Sequence, residues 1–108
     1  MISYETFEQV EIRIGTIIEA KVFEGVKIPA YQLVIDFGEF GIKSSSSQIT
    51  DRYTLDQLIG RQICAVVNLA PKKVKGFVSE VLVLWIYHND EVVLVWPDDR
   101  VDNWAKVY

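Results

Sequence analysis

Three ammonium groups fall within four residues of one another in the stretch Pro71-Lys72-Lys73-Val74-Lys75-Gly76-Phe77-Val78-Ser79, bounded by proline and glycine and set between apolar runs. A loop of this composition can present positive charge to phosphates or carboxylates. The same residues also suit a solvated turn whose lysines serve solubility, and charge alone does not separate the two readings. A second polar stretch, Lys43 followed by Ser44-Ser45-Ser46-Ser47-Gln48, lies between the apolar anchors Ile42 and Ile49. Its hydroxyls and amide can donate and accept hydrogen bonds.

Catalytic chemistry has little to work with. The one histidine, His88, sits in a turn-like His88-Asn89-Asp90 and reads as solvated. The single cysteine, Cys64, lies inside Ile63-Cys64-Ala65-Val66-Val67, the pattern of a buried, inert thiol. One distant histidine, one cysteine and the pair Asp98-Asp99 offer no metal-ligand spacing. Gly41-Ile42-Lys43-Ser44 lacks the first glycine and the strand-loop-helix setting of a phosphate-binding loop. The expectation is a binding protein without catalytic residues, metal or cofactor.

The elements that must position the two polar stretches are mostly strands. Ile12, Ile14, Thr16 and Ile18 alternate with Glu11, Arg13, Gly15 and Ile17, which predicts a long strand over 11–23 with one face buried. Gly15 is expected to mark a bend or bulge. Gly25-Val26-Lys27-Ile28-Pro29 breaks the pattern before an apolar strand over 31–37 closed by Gly38. The serine-bearing strand follows over 40–49. Thr54-Leu55-Asp56-Gln57 reads as a capping box that opens a short helix ended by Gly60. Strands are then expected over 61–69, 77–87 and 92–96, with the basic stretch as a loop over 70–76. Residues 1–10 read as a short helical or extended lead-in. The order, with a short helix between strands three and four and extra terminal elements, predicts an all-β, five-stranded OB-fold barrel.

Composition agrees. The chain has 108 residues, half of them hydrophobic and rich in β-branched and aromatic types, enough for one core and one domain over 1–108. The acidic start lacks the basic flank of a secretory signal, and no apolar run reaches the length of a membrane span. With a lone cysteine that cannot form an intrachain disulfide, this predicts a soluble cytoplasmic protein. Net charge is −4, against a general nucleic-acid binder, but the distribution is uneven: −4 over residues 1–40, +3 over 41–80 and −3 over 81–108.

Several spaced motifs carry a resemblance. Glu11-Ile12-Arg13-Ile14-Gly15-Thr16-Ile17, Leu33-Val34-Ile35-Asp36-Phe37-Gly38, Gly41-Ile42-Lys43, Ser45-Ser46 and Gln48-Ile49-Thr50 are similar to the tRNA-binding-domain superfamily, in particular its secretion-chaperone branch. Ala65-Val66-Val67-Asn68-Leu69, Pro71-Lys72-Lys73, Gly76-Phe77 and Ser79-Glu80-Val81-Leu82-Val83-Leu84 extend it across residues 7–96, and Pro97-Asp98 follows directly after that span. The chain departs from the family pattern at Ser44, Val78 and Trp85, and at Asn103-Trp104, where Asn-Gly is common.

The resemblance implies a cytoplasmic OB-fold homodimer without a cofactor, holding unfolded or export-bound precursor proteins and serving the secretion motor. The alternative is a structure-specific tRNA binder that uses the same basic face. Carried over by position, the tRNA- or peptide-binding residues are Lys43, Ser45, Ser46 and Gln48 on the third strand and Lys72, Lys73, Lys75, Gly76, Phe77 and Ser79 around the basic stretch. The lysines would neutralise phosphates or carboxylates, the serines and Gln48 would hydrogen-bond, and Phe77 would stack on a base or pack against a peptide side chain.

Overall fold

A computed structural model describes residues 1–108. Helix α1 (Tyr4–Glu8), capped by Ser3, leads into β1 (Ile12–Val22), the long strand on which the barrel is built. β1 pairs antiparallel with β2 (Tyr31–Asp36), and β2 in turn with β3 (Ile42–Ser47). A short helix α2 (Leu55–Leu58) then crosses to β4 (Gln62–Val66), which pairs with the first half of β1 on its other side. With β7 (Leu82–Val83) beside β4, the sheet runs β3-β2-β1-β4-β7. The expected all-β OB-fold barrel is therefore the observed one.

The barrel closes between its two edges. Glu80 N donates to Ser44 O at 2.8 Å, and Ser45 Oγ donates to Val81 O at 2.8 Å, joining β3 to the chain entering β7. Ile17, Leu33, Ile35, Phe37, Leu58 and Ile63 fill the interior and are fully buried. In β2 the alternation is regular, with Tyr31, Leu33 and Ile35 inward. α2 starts on the expected Thr54–Gln57 capping box, in which Gln57 Oε1 accepts from Thr54 N at 2.9 Å.

Gly15 plays a different part from the one expected. It remains in regular register with Ile63, and the irregularity falls between Ile17 and Glu19. The core-facing positions of β1 are Gly15 and Ile17, not the expected Ile12, Ile14, Thr16 and Ile18; Ile14 and Thr16 lie on the other face under the C-terminal segment, Ile18 is exposed, and the irregularity after Ile17 passes the inward position to Ala20. What position 15 requires is space: a Cβ there would stand 2.6 Å from Ile35 Cγ2 and 2.7 Å from the Phe37 ring.

The second half is more broken than a single strand over 77–87. The basic stretch is a hairpin, β5 (Lys72–Val74) with β6 (Phe77–Ser79), turned by Lys75 and Gly76, both at positive φ. After β7 comes a second hairpin, β8 (Trp85–His88) with β9 (Glu91–Leu94), turned by Asn89 and Asp90.

The C-terminus adds β10 (Lys106–Val107) to β1. Trp104 adopts φ 79°, a left-handed conformation that glycine takes without strain. Its ring compensates by packing: it stacks on Phe40 at 4.3 Å between centroids, with the Arg13 guanidinium 4.3 Å over it. Arg13 is itself held by Glu11 at 2.8 Å and by the Trp104 carbonyl at 2.9 Å.

Candidate functional site

A groove of about 760 Å³ runs along the outside of the barrel. One wall is the loop after β1, contributing Val26, Lys27 and Ile28; the other is the β5–β6 hairpin, contributing Lys72, Val74, Lys75 and Ser79. Ser46 from the end of β3 and Gln48 just past it also line the groove, and Leu69, Leu82 and Trp85 add apolar surface. Ile28, Leu69, Leu82 and Trp85 are all exposed, an unusual concentration of uncovered apolar side chains around one depression.

Hairpin geometry decides which lysines reach the groove. In β5, Lys72 lies opposite Ser79 and Lys73 opposite Val78, so the two lysines point to opposite faces. Lys72 and Lys75 line the groove and Lys73 does not. Lys27, which the sequence reading did not select, joins them from the facing loop. The charged lining is three lysines against one glutamate, Glu80, on a chain whose net charge is −4. Glu80 is itself engaged: its Oε1 accepts from Ser44 N and Ser44 Oγ, both at 3.0 Å.

Five of the ten expected binding residues, Ser46, Gln48, Lys72, Lys75 and Ser79, line the groove. The other five lie elsewhere. Lys43 stands 3.9 Å from Glu80 Oε2 and 4.9 Å over the Phe40 ring, outside the groove. Ser45 is 1% exposed and its hydroxyl is committed to the barrel seam. Lys73 faces away, and Gly76 forms the hairpin turn at φ 80°. Phe77, half-buried and outside the groove lining, packs edge-on against Phe23 at 5.4 Å, which ties the hairpin to the residue after β1.

The residues missed, Val26, Lys27, Ile28, Leu69, Leu82 and Trp85, carried one readable signal. Gly25-Val26-Lys27-Ile28-Pro29 interrupts the strand pattern yet keeps two large aliphatic residues, costly to expose in an ordinary turn.

No acid-base constellation adjoins the groove. Cys64 is buried and burial pushes its thiol pKa up, away from the reactive thiolate. His88 is exposed at the β8–β9 turn, with Asn89 Nδ2 at 3.1 Å from its Nε2. No helix is long and apolar enough to cross a membrane.

Fold and groove together define a small OB-fold barrel with a lysine-rimmed, apolar-lined binding surface. The chain belongs to the "Putative tRNA binding domain" family, whose model matches residues 12–104, and it is a CsaA-like member of it. The crystal structure of chaperone CsaA from Bacillus anthracis superposes with a TM-score of 0.94 at 48% identity, covering 100% of this chain and 99% of that one. CsaA chaperone protein from Picrophilus torridus gives 0.93 at 44% identity, with both chains covered in full. Methionine–tRNA ligase of Bacteroides fragilis is 32% identical over 98% of this chain, but the match takes in only 16% of the ligase. The ligase of Helicobacter pylori strain J99 is 36% identical over 89% of this chain and 14% of its own length.

Proposed function

We propose that residues 1–108 act as one binding unit that holds unfolded, export-bound polypeptide in the groove, as a homodimer in the cytoplasm, without catalysing a reaction. The observation that carries this reading is the lining itself: exposed Ile28, Leu69, Leu82 and Trp85 can cover apolar side chains, while Lys27, Lys72 and Lys75 remain hydrated at the rim. Likeness to two CsaA chaperones over the whole chain supports it. Self-association is supported by β8, an edge strand that leaves Ile86 exposed on the face opposite Trp85. Precursor proteins and the secretion motor are the partners this reading carries.

The second reading, structure-specific tRNA binding by the same lysines, is favoured by the family match and by the ligases that share this region. Salt separates the two. Affinity built on phosphate contacts falls steeply between about 50 and 200 mM salt, whereas apolar holding persists. Titrating the protein, with its oligomeric mass checked, against bulk tRNA and an unfolded model polypeptide at both salt concentrations tests the proposal. Salt-resistant polypeptide binding is expected; salt-sensitive tRNA binding without polypeptide binding overturns it.

A further inference from the structure

Trp85 is the largest apolar side chain on the groove wall, and 44% of it is exposed. Its exposure is not that of a loose surface residue. Its backbone lies opposite Leu94, which is buried and whose N–H donates to the Tyr53 hydroxyl at 3.0 Å; Tyr53 is buried in the core. The Trp85 ring meets Tyr87 edge-on at 6.5 Å on the same face of β8. Leu82 and Leu69 share the groove with it. The strand is thus fixed to the barrel while the indole is left half uncovered beside other aliphatic surface, a rigid aromatic anchor of the kind that concentrates binding energy.

Charge indicates what such an anchor would receive. Lys27, Lys72 and Lys75 belong to the same groove, and its one carboxylate, Glu80, is occupied by Ser44 and Lys43. A segment combining a large apolar side chain with neighbouring carboxylates would cover the indole and meet the ammonium groups together. A basic segment would meet three unpaired like charges.

We propose that Trp85 is the specificity-determining anchor of the groove, selecting extended polypeptide segments in which an aromatic or large aliphatic side chain is flanked by acidic residues. The assignment rests on the polypeptide-holding reading and adds the class of segment held.

The test uses short disordered peptides with blocked ends: one carrying phenylalanine and glutamate, one with each phenylalanine replaced by alanine, and one with each glutamate replaced by lysine. Wild-type protein is expected to bind the first in preference to both others. Trp85→Ala should weaken the first about tenfold and leave the alanine version unchanged. Trp85→Leu, which keeps apolar bulk, should give a smaller loss and supplies the test should the alanine variant fail to fold. Equal affinity of both Trp85 variants for the first peptide overturns the assignment. So does a drop in oligomeric mass in the variants, which would put Trp85 between two copies, or, with oligouridylate titrated alongside the peptides, a loss confined to that RNA, which would make it a base-stacking residue. Wild-type protein that binds no disordered peptide defeats the holding function itself; wild-type binding with indifferent variants defeats only the role of Trp85.

Discussion

The serine strand β3 and the lysine hairpin β5–β6 begin as equals: both are polar stretches between apolar runs, and both are expected to face a ligand. In the fold they divide. β3 has barrel partners on both sides, β2 through a full ladder and the Val78–Val81 segment through Ser44 and Ser45, so much of its hydrogen-bonding capacity goes to closing the barrel. The hairpin shares in that seam only through β6, where Val78 O accepts from Ser44 Oγ and Ser79 Oγ accepts from Ser46 N at 3.1 Å; β5 pairs with β6 alone, and Lys72 and Lys75 reach the groove. Polar residues in a chain this small serve structure or recognition according to whether the backbone beside them still needs partners.

The largest effect should come from the frame common to both regions. Gly15→Ala forces a Cβ into the Ile35 and Phe37 side chains, and a cost of about 3 kcal/mol is expected from overpacking, read as a lowered midpoint in urea unfolding. A midpoint equal to wild type would mean that the core gives way there easily.

Ser45→Ala sharpens the contrast more directly. It removes the 2.8 Å donor to the buried Val81 carbonyl and leaves only Ser79 Oγ at 3.5 Å, and stability should fall by about 1–2 kcal/mol while polypeptide affinity of the folded protein stays unchanged. A loss of affinity at unchanged stability would return Ser45 to the binding surface.

Lys72→Ala with Lys75→Ala should do the reverse, lowering affinity for acidic ligands by about 1 kcal/mol with little change in unfolding midpoint. Lys73→Ala, one residue away but on the other face, should change neither quantity. Equal effects of Lys72→Ala and Lys73→Ala in separate titrations would show that net charge, and not groove geometry, governs binding.

The smallest effect concerns Cys64. Burial raises its thiol pKa in the folded protein, so the folded state retains that proton more tightly than the unfolded chain. Its contribution is fully present below the ordinary thiol pKa and is lost as pH rises above it toward the folded value. Stability curves of wild type and Cys64→Ala should therefore have the same shape from neutral pH to about pH 8 and converge or cross only in more alkaline solution.

The strands that carry hydrophobic contrast were readable: Tyr31, Leu33 and Ile35 alternate with half-buried residues, and β4 is an apolar run from Ile63 to Val66. Within four serines the alternation has no contrast, so nothing in the sequence says that Ser45 faces in and Ser46 out. Lys72 and Lys73 separate only through the register set by a two-residue Lys75-Gly76 turn, which lacks the Asn-Gly or Asp-Gly signature of that turn type. The Ile17–Glu19 irregularity has no composition signal, and β10, two residues long, shows no period. The groove's second wall was hidden because a loop broken by glycine and proline gives no indication of what it faces across space.

The most direct test of the central claim is a backbone and indole amide NMR titration of the protein with an unfolded, acidic model polypeptide at moderate salt. Shifts concentrated at Lys27, Ser46, Lys72, Lys75, Ser79 and the Trp85 indole, with Ser45 and Lys73 unmoved, are the predicted result. Shifts centred on Lys73 and Val78 with the groove residues silent would contradict it.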